Sequence, residues 1–217
     1  QYGKLEVDMH VDCPGAVHPF AQHCGEWDTV GRIYLCMDES CEQQRRFIKW
    51  ITPYSPPGRW LIDVTPELVA LAKAPSLTFK ASHGDNNVGP YTYNYTVDFR
   101  FSEPVDGLKP VHVESLIPRG NYGWNDSFHE QWSEFSFTPP EDVKKVELYT
   151  RISGHGSAGG TQCAEFCTFT HQFTINQTPF AHTYEMEPNS SLCADRVEEG
   201  VTPNQGGTWF YDRSSWC

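Results

Sequence analysis

Apolar and polar residues alternate with a period of two along several stretches of this chain. In KLEVDMHV (residues 4–11) four apolar side chains fall on one face, and the acidic and histidine side chains fall on the other. YTYNYTVDFRF (91–101) alternates over a longer run, and VKKVELYTRI (143–152) and FTHQFTI (169–175) repeat the pattern. Since successive side chains of a strand point to opposite faces, this period predicts antiparallel strands with one face in a core.

One short stretch has a helical pattern instead. TPELVALAKA (65–74) opens with Thr65 at the expected N-cap and a proline in the first turn, which predicts about two turns of helix. SEPVDGLKPVH (102–112) breaks the alternation with two prolines and a glycine. We therefore expect an all-β protein made of two adjacent antiparallel domains, residues 1–104 and 105–217, each a sandwich or jelly roll.

Composition and charge exclude several classes of protein. With 38% hydrophobic and 14% aromatic residues, the chain is expected to be globular rather than disordered. Its formal net charge is −12, and it has no sequence cluster of Lys and Arg, so nucleic acid is not expected as a partner. No apolar run approaches the roughly 20 residues needed for a membrane span.

The eight cysteines fall into four pairs that are close in sequence. The predicted disulfides are Cys13–Cys24, Cys36–Cys41, Cys163–Cys167 and Cys193–Cys217. A zinc site would need clustered C-x-x-C or H-x-x-x-H spacing, and no complete set of that kind occurs. Disulfides indicate an oxidising compartment.

Four N-x-[ST] sequons indicate the same compartment. They begin at Asn94, Asn125, Asn176 and Asn189. Chance alone would give about one in such a chain, so we expect a secreted glycoprotein, extracellular and of eukaryotic origin.

The first candidate site is the EWD triplet. On a strand, Glu26 and Asp28 would point to the same side and Trp27 to the other. A carboxylate beside an aromatic ring is typical of sugar sites, because indole offers a flat apolar surface to a sugar ring. The alternative is a pair of solvated acids at the start of a strand.

The second candidate site is QCAEFC. A disulfide between Cys163 and Cys167 would close a tight loop and hold Glu165 at its tip. A fixed carboxylate is suited to catalysis or to positioning a ligand, although a loop with a solvated acid is the alternative.

His171 is in phase with Phe173 on one strand face, which favours a hydrogen-bonded core histidine. Together with His155 and His182 it could instead form a copper or zinc site, because three imidazoles suit either metal. Otherwise no cofactor is expected.

Read in order, several motifs resemble those of the peptide-N-glycosidase F family. The match runs from about residue 7 to residue 217, and EWD and CAEFC contribute most to it. The motifs are CGEWDTVGRIYL, YTVDF, RISGHG, QCAEFCTFTHQFTIN and WFYDRSSWC.

The resemblance implies two eight-stranded jelly-roll domains side by side, with the active site in the cleft between them. It implies hydrolysis of the bond between an asparagine side chain and the first GlcNAc of an N-glycan, so that N-glycans or glycoproteins are the partners. Asp28 matches the principal catalytic acid and Glu165 a second carboxylate. The substrate-binding positions implied are Glu26, Trp27, Ser82, His155, Trp209 and Arg213.

The chain departs from the family pattern at several of these positions. Ser82 stands where the family has a third carboxylate, Gly84 and His155 stand where it has tryptophans, and Thr29 stands where it has an arginine. Two alternatives follow: a glycan-binding or interaction protein without catalysis, or a copper protein by analogy with the copper monooxygenases that share the architecture. The family also has strands beyond both ends, so we expect a piece of a longer or nicked polypeptide.

Overall fold

A computed structural model describes eight strands and one short helix in this chain. The residues it describes are 2–14, 29–52, 57–83, 93–104, 106–116, 130, 134–150 and 169–184. The elements are β1 (Lys4–Asp12), β2 (Val30–Cys36), β3 (Gln44–Ile51), β4 (Gly58–Asp63), a 3-10 turn (Thr65–Glu67), α1 (Leu68–Lys73), β5 (Phe79–His83), β6 (Asn94–Ser102), β7 (Phe169–Ile175) and β8 (Thr178–Tyr184). The described part is therefore mainly β-structure with little helix, as predicted.

The strands form three sheets in which every pairing is antiparallel. Their orders are β4–β1–β6, β3–β2–β5 and β7–β8. The two three-stranded sheets share one hydrophobic core, and Trp50 and Trp60 meet in it with ring centroids 6.4 Å apart. Burial of apolar surface between the two sheets is the main source of stability for this sandwich.

Strand β1 shows how the sequence pattern builds the core. Leu5, Val7, Met9 and Val11 are all at most 2% exposed, and they come from alternate positions as predicted. The polar face of the same strand contains Asp8, which is itself buried. Its carboxylate accepts hydrogen bonds from two arginines of the flanking strands, as described in the Discussion.

A bulge in β3 gives the core an additional side chain. The register runs from Ile33↔Ile48 to Tyr34↔Arg46, so Phe47 is the extra residue between these two pairs. Phe47 and Ile48 are both fully buried, although they are consecutive. The extra residue therefore lets two neighbours in sequence point to the same face.

The helix lies where it was predicted, but it begins differently. Thr65 starts a 3-10 turn, and α1 follows from Leu68 to Lys73. The expected Thr65 cap is wrong: its hydroxyl accepts the Leu5 N–H at 3.1 Å rather than a donor of the helix. Thr65 thus ties the turn to β1.

The ribbon of β7 and β8 contains the strand predicted at 169–175. Asn176 and Gln177 join the two strands with φ angles of 47° and 66°. Two consecutive positive φ angles in a two-residue loop are typical of a type I′ turn, whose twist matches that of the strands.

The region between β6 and β7 contacts the sandwich through Val113 and Tyr149. Val113 packs against the core, and the Tyr149 hydroxyl donates a hydrogen bond to the Asp63 carbonyl at 2.5 Å. The strand predicted at 143–152 is not among the described strands. The division into domains 1–104 and 105–217 and the jelly-roll topology stay predictions.

Among the described residues, no helix is long and apolar enough to cross a bilayer.

Candidate functional site

Thr29, the residue that follows the EWD triplet, is the first described residue after it. A cluster of hydrogen bonds joins it to Thr52 at the end of β3. The Thr29 N–H donates to the Thr52 hydroxyl at 2.8 Å, and the Thr52 N–H donates to the Thr29 carbonyl at 2.9 Å. Thr52 is only 1% exposed, so this threonine clamp, Thr29 with Thr52, fixes the backbone directly after Asp28 in the sequence.

Gly31, two residues further along on β2, lies at a position where only a glycine fits. A Cβ placed on Gly31 would lie 2.2 Å from ring carbons of Trp50 on β3. On its other side Gly31 pairs with His83 of β5. The indole therefore packs directly over the Gly31 backbone, and a larger residue would displace it.

Ser82 lies at the same end of the same sheet. It pairs with Arg32 across β2 and β5, and it is half-buried. Because the strands are antiparallel, the last residues of β5 lie beside the first residues of β2. Thr29 and Arg32 are three residues apart, or roughly 10 Å along an extended strand. Ser82 thus lies at the end of the sheet where β2 begins, opposite a residue three positions along the strand from Thr29. Its role in binding substrate stays a prediction.

Most other predicted site residues lie outside the described residues. These are Glu26, Trp27, Asp28, Gly84, His155, Glu165, Trp209 and Arg213. Their placement, and the cleft predicted between the domains, stay predictions.

One predicted disulfide is confirmed. Cys36 and Cys41 are bonded, with their Cα atoms 4.7 Å apart, and they close the connection from β2 to β3. Cys13 is also disulfide-bonded, while its predicted partner Cys24 lies outside the described residues. The same holds for both members of the predicted pairs Cys163–Cys167 and Cys193–Cys217.

Two of the three histidines in the copper alternative are brought together. His171 and His182 are directly opposite each other on β7 and β8. His171 is half-buried rather than part of the sandwich core, and burial followed by the nearby His182 charge lowers its pKa. Among the described residues, no group of three or more His, Cys, Asp or Glu side chains could hold a metal.

Two sequons can be placed. Asn94 begins β6 and Asn176 is the first turn residue between β7 and β8, and both are exposed. An exposed amide is accessible to a glycosyl transferase, but glycosylation stays a prediction. Asn125 and Asn189 lie outside the described residues.

A group of basic residues on the outer face of the β3–β2–β5 sheet has no signal in the sequence. They are Arg32, Arg46, Lys49 and Lys80. These positions are dispersed along the chain, so a search for runs of Lys and Arg does not find them. Only the pairing of β2 with both neighbouring strands puts them on one surface.

Comparisons with known proteins connect this chain to glycan amidases. Residues 123–217 match the family described as Peptide-N-glycosidase F, C terminal. Over an alignment of 228 residues, the chain is 27% identical to the Peptide-N(4)-(N-acetyl-beta-D-glucosaminyl)asparagine amidase F of Elizabethkingia miricola. That alignment covers 98% of this chain and 59% of the relative, so the chain spans about three-fifths of the relative's length.

A solved structure is also similar. Recombinant peptide:N-glycanase F (PNGase F) superposes with a TM-score of 0.49 at 18% identity, covering 100% of this chain and 68% of that one. The curated relative is bacterial, and the expected eukaryotic origin therefore finds no support in it.

Proposed function

We propose that this chain is a member of the peptide-N-glycosidase F family and acts as an amidase on N-glycans. The reaction would hydrolyse the amide bond between an asparagine side chain and the first GlcNAc. The observation that carries the proposal is the 27% identity to an amidase of that specificity across 98% of the chain. The match of residues 123–217 to the C-terminal part of the family supports it independently of the EWD motif.

In the proposed mechanism, Asp28 and Glu165 share the proton transfers of amide hydrolysis. One carboxylate accepts a proton from the water that attacks the amide carbon, and the other acid donates a proton to the departing nitrogen. Two carboxyl groups held close together titrate at different pH values, which allows one to be ionised while the other is protonated. Cleavage of the C–N bond leaves an aspartyl side chain and a glycosylamine, which a second water hydrolyses to ammonia and the free glycan.

The threonine clamp supports the proposal that this end of the β3–β2–β5 sheet positions Asp28. A catalytic carboxylate must be held within a fraction of an ångström of its productive position. Thr29 directly follows Asp28 in the sequence, and its backbone N–H and carbonyl are both bonded to Thr52. The clamp therefore fixes the residue that directly follows Asp28 in the sequence.

The direct test is Asp28→Asn with an asparagine-linked glycopeptide as substrate. We expect release of the glycan, followed by mass spectrometry, to be abolished while the circular dichroism spectrum is unchanged. Glu39→Gln is a matched control, since Glu39 is an exposed acid in the Cys36–Cys41 loop, and it should keep full activity. Undiminished activity of Asp28→Asn would contradict the assignment.

Ser82 favours a second candidate, a glycan-binding protein without amidase activity. A hydroxyl cannot replace the carboxylate that the family has at this position as an anion or as an acid. In this case the wild-type chain would bind the glycopeptide on a glycan array but leave it uncleaved. Ser82→Glu, which puts a carboxylate opposite Arg32, would then be the variant in which to look for recovered cleavage.

We also propose that the protein is secreted and carries glycans at Asn94 and Asn176, with Asn125 and Asn189 as further acceptors. The copper alternative is supported by the register that sets His171 opposite His182. Neutral imidazoles on paired strands could supply two nitrogen ligands. Elemental analysis of the purified protein would show stoichiometric copper if this alternative holds.

A further inference from the structure

We propose that the first N-acetylglucosamine of a glycan on Asn176 packs against Ile175 and Thr178 and thereby stabilises the hairpin of β7 and β8. This contact rests on the glycosylation of Asn176 proposed above, whereas it does not depend on amidase activity. It would give the glycan a structural role on an exposed apolar surface.

The sequon coincides with the turn of the hairpin. Asn176 and Gln177 are the two turn residues, and Thr178, which supplies the hydroxyl of the sequon, begins β8. Asn176 is exposed, as the attachment of a glycan requires. In the transfer, the amide nitrogen exchanges one hydrogen for a bond to C1 of the sugar, and the diphosphate of the glycosyl donor leaves with the proton.

One face of the hairpin is apolar and is exposed near the turn. Phe173 pairs with Phe180. Ile175 pairs with Thr178, two residues nearer the turn on each strand, so all four side chains lie on one face. Phe173 is half-buried, whereas Ile175 is 44% exposed and Phe180 is 52% exposed. A group that covers these side chains therefore gains hydrophobic free energy.

The opposite face of the hairpin is more polar. Thr170 and Thr183 pair there, and their hydroxyls form a hydrogen bond of 2.9 Å. Nearest the turn, Thr174 pairs with Pro179. A sugar gains less by covering hydrated polar groups than by covering apolar ones. The apolar face is therefore the one on which we expect the sugar ring to pack.

The backbone of the turn allows a sugar on Asn176 to reach this apolar face. In a regular strand, the side chain of Asn176 would point to the side opposite Ile175. The left-handed φ of 47° at Asn176 ends that alternation. Since neighbouring Cα atoms are about 3.8 Å apart, a ring at the end of the asparagine side chain can fold back over Ile175. Thr178 lies directly opposite and has a methyl group to contact the same ring.

The chemistry of N-acetylglucosamine suits this surface. The ring has C–H groups on its faces and an apolar methyl on its acetamido group, while its hydroxyls lie at the ring edge. The C–H groups can pack on the side chain of Ile175 while the hydroxyls stay in water. The contact thus buries apolar surface without removing polar groups from solvent.

The conformation of Gln177 gives such a contact a stabilising role. Gln177 has a φ of 66°, and left-handed backbone is unfavourable for a residue with a Cβ. Type I′ turns favour glycine at this position for that reason. A sugar that contacts both strands would offset this unfavourable term, because it holds Ile175 and Thr178 together.

Hydrogen exchange of the same polypeptide with and without the glycan tests the contact. One form is made in eukaryotic cells and trimmed enzymatically to a single N-acetylglucosamine at each site, and the bare form is made in the bacterial periplasm. Both carry Asp28→Asn, so that the proposed amidase cannot remove the glycan. We expect the amides of β7 and β8 to exchange at least about threefold more slowly in the glycosylated form, the effect of one good cross-strand contact. Equal exchange rates would overturn the proposal.

Ile175→Thr tests which side chain holds the sugar. It keeps a β-branched residue at an exposed position, so the hairpin should still form, and it should remove most of the protection that the glycan provides. Phe180→Thr is the matched control. It removes another exposed apolar side chain, one residue pair further from the turn, and should leave the ratio of exchange rates unchanged. An equal effect of the two variants on that ratio would contradict the assigned contact.

Mass spectrometry of the peptide that contains Asn176 separates this contact from glycosylation itself. Proline directly after a sequon slows glycosyl transfer, so Pro179→Ala is made in parallel to raise the occupancy. Absence of a glycan on Asn176 in both proteins would overturn the glycosylation and the contact together. A glycosylated Asn176 without slower exchange would overturn the contact alone. Exchange in the bare form that slows as protein concentration rises would assign the apolar face to a second copy of the chain instead.

Discussion

Asp8 is an acidic residue on the polar face of a strand, yet it is only 7% exposed. The alternation of β1 predicts that it is solvated like its neighbours on that face. Instead, Arg59 donates to both carboxylate oxygens, with its Nε at 2.9 Å and its Nη2 at 2.7 Å, and Arg100 donates to Oδ2 as well. The two arginines, from β4 and β6, cover the carboxylate and join the three strands on their outer face.

Asp8→Asn should therefore destabilise the sandwich. A bidentate bond to an arginine is among the stronger hydrogen bonds, but both arginines are half-exposed, so we expect a loss of about 1–2 kcal/mol at pH 7. Urea denaturation would measure this loss. Glu6→Gln, which removes a partly exposed ion pair with Lys4, should cost less than about 0.5 kcal/mol. Equal losses in the two variants would contradict a special role for Asp8.

The same carboxylate should make stability depend on pH in the acid range. Hydrogen bonds from Arg59 hold the pKa of Asp8 below its usual value of 3.8. Its contribution is complete above the pKa of the unfolded chain, near 4, and is lost as the pH falls through the lower pKa of the folded state. The stabilities of wild type and Asp8→Asn should thus converge as the pH falls below the usual pKa of 3.8 and through the lower pKa of the folded state. A difference that stays constant throughout acid titration would be evidence against this linkage.

At the scale of the elements, the threonine clamp links the end of β3 to the start of β2. The Thr52 hydroxyl is the acceptor of the Thr29 N–H, so Thr52→Val keeps the shape of the side chain but removes that acceptor. We expect a loss of stability of about 1–2 kcal/mol. If Asp28 is catalytic, we also expect a fall in glycopeptide cleavage that exceeds the loss of folded protein.

Thr65→Val is a matched control for this prediction. Its hydroxyl accepts the Leu5 N–H at 3.1 Å, so the chemistry of the substitution is the same at a different place in the sandwich. It should cost similar stability and leave the cleavage rate of the folded protein unchanged. Equal effects of the two variants on cleavage rate would show that the clamp does not position the site.

The sequence predicted the elements well where packing follows a regular period. The strands β1, β6 and β7 and the helical segment 65–74 were predicted because their patterns match the periods of strand and helix. The bulge of β3 was not predicted, since RRFIKW contains no glycine or proline to signal it and only the pairing with β2 defines it. The start of the helix was predicted wrongly because Thr65 bonds to a strand 60 residues away.

At the scale of the whole molecule, two tryptophans join the sheets of the sandwich. Trp50 comes from the β3–β2–β5 sheet and Trp60 from the β4–β1–β6 sheet, and both are buried. Trp60→Ala should cost about 3–5 kcal/mol, because it removes a large buried ring and leaves a cavity between the sheets. Chemical denaturation would show the loss, and Leu77→Ala, at a side chain 66% exposed, should change stability by less than about 0.5 kcal/mol. A small loss for Trp60→Ala would mean that the sheets are not joined through this contact.

The candidate site could be predicted only in part, for a physical reason that differs between residues. Asp28 and Glu165 were proposed only through motifs and stay predictions, because an acid has no periodicity that separates a catalytic role from a solvated one. The group of basic residues on the β3–β2–β5 sheet could not be found in this way, since Arg32 and Lys49 are far apart in the chain and become neighbours only through strand pairing. The Cys36–Cys41 disulfide was predictable because its loop is short.

The bulge at Phe47 also bears on how chain length could vary in this fold. If residue 47 were deleted, Arg46 would directly precede Ile48, and the pairs Ile33↔Ile48 and Tyr34↔Arg46 could both be kept in a strand of regular alternation. Such a shortened chain would retain its outward cations but lose a fully buried aromatic ring, at a cost of about 3–5 kcal/mol. A deletion at position 47 would thus change the stability of the sandwich while leaving the charged residues of its outer face in place.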